Sequence, residues 1–186
     1  AFHRELSDKL VTEVFDLRDH DRALESFTRL GSKLGFSRGQ AAAAFESAWT
    51  DFGKTGDRLA ETGRDFLAEL KEGEPALVLF GRPYNALTRR GNMGVPGKFT
   101  SRGYRIIPYD MLPLNKELEP SQERMYWASG KGILGAAGIV RNTPDLYGVF
   151  ITSFSCGPDS FILENFRSIM GNKPYLILEL DAHTAD

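Results

Sequence analysis

The sequence predicts an α/β fold: a Rossmann- or flavodoxin-like parallel sheet of about four strands with flanking helices, preceded by a helical segment. Three observations carry that expectation. Four short runs, 76–80 (ALVLF), 104–108 (YRIIP), 147–152 (YGVFIT) and 175–180 (YLILEL), are apolar at successive positions. Runs apolar on both faces belong to parallel strands covered on each side by helices. Helix-length segments alternate with them, and strand–helix alternation with short connections and right-handed crossovers gives a doubly wound sheet. Upstream of 73–75, by contrast, apolar residues recur at three- and four-residue steps, the helical period.

Taken in order, the chain divides at residue 73 into a helical lead-in, 1–73, and an α/β module, 74–186. A first helix is expected over 5–17, where Leu6, Leu10, Val11, Val14 and Leu17 form a stripe. A second covers about 21–34, with Gly35 as its stop. Ser37 is placed to cap a long helix over about 37–70. Its stripe of Phe45, Trp49, Phe52, Gly56, Leu59, Gly63, Phe66 and Leu70 steps by fours and threes, which is a heptad seam for core contact or docking, and its two glycines permit close approach of another element. After the first strand, helices are expected near 92–102, 122–142 and 159–170. Pro96 falls in a first turn, where its missing N–H does no harm. Gly103 and Gly171 stand where helix C-caps are wanted.

Composition bounds the function. The 186 residues suffice for one substantial core. A net charge of −2 argues against a nucleic-acid footprint or a polybasic membrane anchor. No apolar run approaches the ~20 residues that cross a bilayer, and no signal or lipidation motif stands at the termini. One cysteine excludes an internal disulfide framework, so a reducing, cytoplasmic setting is the default. Opening on Ala1 and ending on Asp186 just past a strand, the chain reads as one module of a larger protein.

An open parallel sheet binds ligands outside the carboxyl ends of its strands. Four segments are therefore expected to converge on one rim: Gly81-Arg82-Pro83-Tyr84-Asn85, Tyr109-Asp110 with the residues to Leu114, Ser153 to Ser160, and Asp181 to Asp186. Cys156 stands between a strand end and a helix start, where the helix's positive end favours thiolate, the form that binds metals and attacks electrophiles. Gly157-Pro158 fixes a tight entry, with backbone amides pointing at the sulfur. The alternative is a small buried hydrophobe. Asp181-x-His183-x-x-Asp186 is a weak metal pattern, and His183 serves better as a rim proton donor; alternatively it is a surface histidine of no consequence. Arg82 and Tyr84 suit a carboxylate, phosphate or thioester oxygen. Equally, Arg82 pairs with Asp110 or Asp181 and ties the rim together.

Other motifs fail. Ser129-Gly130-Lys131-Gly132 lacks both the leading glycine and the hydroxyl after lysine of a phosphate loop. Gly132, Gly135 and Gly138 lack the strand–turn–helix context of a dinucleotide fingerprint and read as a smooth packing face. A flavin-binding module is disfavoured because the loop after the first strand is poor in Ser and Thr.

The phrases GRPYN (81–85), NMGVP (92–96), MYWASGKGIL (125–134), FSCGPDSF (154–161) and KPYLILELDAHTAD (173–186) resemble the long CoA-substrate-specific enzyme activase proteins. These are related to 2-hydroxyacyl-CoA dehydratases and, more distantly, to benzoyl-CoA reductase. The resemblance covers about 74–186, and the lead-in more loosely. It implies Rossmann-like domains whose loops hold a [4Fe-4S] cluster through cysteines from several segments, with Cys156 as one ligand and Ser155 and Gly157 beside it. It implies also that an activator ATPase domain or subunit and the remaining domains of the parent protein are partners, and that an electron passes to an acyl-CoA substrate; in this enzyme reading Arg82, Tyr84 and His183 stand around a substrate or second-shell pocket. The other cluster cysteines are absent from this chain, so alone it is expected to be cluster-free and inactive. The competing reading is a docking module for the activator ATPase domain, with Cys156 merely structural.

Overall fold

The computed structural model describes residues 10–114, 125–153 and 157–180. Two compact units, residues 1–57 and 58–186, divide within one long helix.

In the first unit, α1 (His20–Lys33) and the opening half of α2 (Arg38–Ala68) form a helical hairpin. Asp19 caps α1 by accepting from the Arg22 amide. At the other end, the Phe36 amide donates to the Gly31 carbonyl and the Gly35 amide to that of Ser32. With Gly35 at φ +89°, this is a Schellman stop, in the left-handed conformation that glycine adopts without strain. Ser37 and Gln40 make a reciprocal capping box, each side chain reaching the other's backbone amide. Phe27, Phe45, Trp49 and the His20 ring pack against one another between the helices, three pairs tilted and His20 on Trp49 T-shaped.

The helix expected over 5–17 does not form in its described part: from Leu10 to Asp16 the chain has no regular structure. A helix of two or three turns does not sustain itself without a packed face, and the face is missing here. Leu10, Val14 and Leu17 are all exposed, Val14 at 84%. Glu13 turns inward instead: it accepts from Arg29 and Lys33, and Lys33 also donates to the Thr12 carbonyl. These donors, Lys33 first, hold the Glu13 carboxyl below its usual range.

In the second unit, β1 (Ala76–Phe80), β2 (Arg105–Pro108), β3 (Leu146–Thr152) and β4 (Tyr175–Glu179) form one parallel sheet in the order β2-β1-β3-β4, the flavodoxin-like arrangement. The helices are α3 (Pro83–Ala86), α4 (Val95–Thr100), α5 (Ala128–Asn142) and α6 (Gly157–Met170), with a 3-10 turn at Tyr109–Met111. All five β1 residues are buried. One face carries Val78, Phe80, Phe150, Ile133, Leu134 and Phe166; the other carries Leu77, Leu79, Val149 and Ile151. Phe80 and Phe150 both meet the edge of Phe166, centroids 5.0 and 5.2 Å away.

The seam expected along the long helix is realised unevenly. A Cβ on Gly63 would lie 1.8 Å from the Met111 carbonyl oxygen, so backbone meets backbone there. Around Gly56 there is open space. Similarly, Gly132 packs against Tyr109, but nothing approaches Gly138. Among the described residues, no helix is long and apolar enough to cross a membrane.

Candidate functional site

Strand order places the switch point between β1 and β3: the chain leaves β1 toward β2 and leaves β3 toward β4. Connections diverge there and leave a crevice at the carboxyl ends. Gly81, immediately after β1, makes the crossing narrow. Its φ is +139°, and a Cβ would stand 2.3 Å from the Ile151 carbonyl oxygen, so only glycine brings this loop so close over β3.

Arg82 follows. Its Nε lies 2.7 Å from Asp159 Oδ1, in the first turn of α6. Asp159 is fully buried, and its Oδ2 accepts from the Thr152 hydroxyl at 2.7 Å. The Arg82–Asp159 approach is a charge contact and not an aligned hydrogen bond. Tyr84, half exposed, lies over the Arg82 guanidinium with its ring centroid 4.6 Å away. The pair thus ties the loop after β1 to the helix after β3 across the switch point. Arg82 thus meets Asp159, which the sequence did not single out; of the two partners expected for it, Asp181 lies outside the described residues. The carboxylate also suits the first turn of a helix, where the macrodipole favours negative charge.

The rest of the loop after β1 is fastened from within. Asn92, buried, donates from Nδ2 to the Ala86 carbonyl and accepts from the Gly94 amide. Asn85 is also buried, but its Nδ2 has no hydrogen-bond partner. On the β2 side of the rim, burial pushes the Tyr109 hydroxyl up to about 12, with Asp110's charge adding to it.

Of the residues singled out from sequence, the structure brings Arg82 and Tyr84 together. Gly157 begins α6 with no positive φ, and among the described residues nothing would meet a Cβ there. Ser155 and Cys156, and His183 with Asp181 and Asp186, lie outside the described residues. Among the described residues no cluster of three or more His, Cys, Asp or Glu could hold a metal ion. Sequence reasoning placed Asn85 and Asp159 within the converging segments without giving either a role, and it missed Thr152. The available signal was a strand-end threonine seven positions before an aspartate in a helix's first turn.

The family model described as "CoA enzyme activase uncharacterised domain" matches residues 1–112. That stretch includes the helical segment, β1 and β2; FSCGPDSF and KPYLILELDAHTAD lie beyond it. No curated protein and no solved structure matches the chain.

Proposed function

Because this chain belongs to the CoA enzyme activase uncharacterised domain family, we propose that its α/β unit is a module of a larger ATP-driven, low-potential electron-transfer protein acting on an acyl-CoA-type substrate. In this reading Cys156 supplies one thiolate to a [4Fe-4S]-type cluster, beside Ser155 and Gly157, and Arg82, Tyr84 and His183 border the substrate. The observation that carries it is the bridge from Arg82 to Asp159. It fastens the loop after β1 to the helix that follows Cys156 in the chain, at the point of the sheet where ligands bind. A four-iron cluster takes four thiolates, and this chain has one cysteine. The other ligands belong elsewhere in the parent protein, and no chemical step at a cluster is assigned to this chain.

Anaerobic reconstitution of the full-length protein with iron and sulfide tests the proposal. The Cys156→Ser variant is expected to lose bound iron and the visible absorption of the cluster; unchanged iron content and spectrum defeat the reading.

A second reading, docking of an activator ATPase domain, is favoured by a separate observation. The helical unit carries an apolar groove of about 800 Å³ between α1 and α2, with Phe36 and Phe52 exposed at its margins. Phe36→Glu and Phe52→Glu are expected to weaken a complex with the ATPase domain, while Tyr84→Ala leaves it intact. Equal affinity for all three variants removes this reading.

A further inference from the structure

The segment from Leu10 to Leu17 is folded inside out. Its aliphatic residues recur at positions 10, 11, 14 and 17, one stripe of a two-turn helix, yet all four face solvent. Of its charges, Glu13 is the covered one, lying against half-exposed Arg29 and Lys33, while Asp16 pairs at the surface with Arg18 and Arg22. Among the described residues, no backbone amide from Leu10 to Leu17 donates a hydrogen bond. Phe15, stacked on Phe27 at 4.5 Å, is the one ring that anchors it.

Beside this segment lies the apolar groove, and Leu17 is itself one of the residues lining it. Its floor is small, made by Gly31, Ala41, Ala44 and Ala48, with aromatic walls. Small residues on a helix face admit a neighbouring helix at close range. The local chain therefore has both halves of a packing contact: an unsatisfied helical stripe and an uncovered groove that begins at the stripe's last residue. Ion pairs exposed on helix surfaces restrain only weakly, whereas the stripe and the groove both gain by leaving water.

We infer that residues 10–17 are a strap poised to close: released from the Glu13 clamp, they coil into an amphipathic helix that lays Leu10, Val14 and Leu17 into the groove between α1 and α2. Eight residues shorten from about 26 Å extended to about 12 Å as a helix, and Phe15 leaves Phe27 as the stripe turns toward the groove. Closure covers the same apolar surface that a partner would use, so the strap regulates access to it.

Hydrogen exchange on the whole chain, combined with binding of the apolar dye anilinonaphthalene sulfonate, tests this. Glu13→Gln weakens the clamp. Its amides over 11–17 are expected to exchange about tenfold more slowly or better, with dye fluorescence falling. Adding Val14→Asp, which puts a charge in the stripe, is expected to return both signals to the wild-type level. Should Glu13→Gln fold poorly, raising ionic strength on the wild-type protein from about 0.01 to 1 M contracts the screening length from about 30 to 3 Å and is expected to produce the same protection. Exchange that stays as fast as wild type, or quickens, overturns the inference. So does protection gained with no loss of dye binding, which would put the helix somewhere other than the groove.

Discussion

In the α/β unit the aromatic residues at the centre of the sheet are sealed: Phe80, Phe150 and Phe166 are fully buried and their rings interlock, while Tyr126 and Phe161 at its surface are exposed. In the helical unit Leu34, Phe36 and Phe52 stand in solvent, Phe52 at 79%. The difference follows from architecture. A sheet covered on both faces closes two cores at once, whereas a helical hairpin has only one seam and leaves the outer face of each helix uncovered. The sealed unit is thus organised around packing, and the open one around a surface.

The sharpest way to break that comparison is to truncate one phenylalanine from each unit. Phe80→Ala is expected to destabilise the protein by about 3–5 kcal/mol. Phe52→Ala is expected to stay within about 0.5 kcal/mol. Chemical denaturation followed by circular dichroism measures both. A large loss at Phe52 would show that the groove is already filled.

Next in size is the buried charge at the switch point. Asp159→Ala removes the buried carboxylate that Arg82 Nε approaches and is expected to cost about 3 kcal/mol, while the apolar double replacement Arg82→Met with Asp159→Leu costs less. A double-mutant cycle on denaturation midpoints reads the difference. If the double variant is the worse of the two, the pair is more than a tie across the crevice.

Smaller again is a contrast along one helix. Gly63→Ala meets the Met111 carbonyl and is expected to cost about 1–3 kcal/mol. Gly56→Ala enters open space and is expected to stabilise by up to about 1 kcal/mol. Thermal melts that give the two substitutions the same sign would contradict the close approach at Gly63.

The smallest effect is electrostatic. The His20 imidazole is raised above 6.5, first by the hydrogen bond to Asp21 and then by the one to Glu46. A raised value means that the protonated form is favoured in the folded hairpin. Its contribution is complete below 6.5 and fades as pH climbs through the folded value. Helical stability is therefore expected to decline modestly across that window, and His20→Gln to flatten the decline in melts recorded at several pH values.

The strands were legible in the sequence because burial on both faces leaves an unbroken apolar run. For β1 the run and the strand coincide, and for β2, β3 and β4 they differ by a residue at one end. The hairpin's stops were legible too, since Gly35 and Ser37 act through their own backbone and side-chain chemistry. What misled was the stripe at 10–17. Periodicity reports that a helix would be amphipathic; it does not supply the surface against which that helix must pack. The rim was half legible for a related reason. The convergence of loops follows from a parallel sheet, but β1 has a neighbour on each side, β2 ahead of Asp110 and β3 ahead of Asp159, and no local pattern encodes toward which of them Arg82 turns. The same holds for Asn85, a polar residue in a turn that becomes buried only once β3 lies alongside.

The register of the central strands also sets an order of events during synthesis. Ala76 pairs with Leu146, not with its nearer neighbour alone, so the middle of the sheet stays incomplete until the ribosome has released the segment beyond residue 150. Contacts distant in sequence form late because the intervening loop must first be closed. For that interval ALVLF, which has the composition of an aggregation-prone strand, has no permanent neighbour on one side and is left open to pairing with other chains.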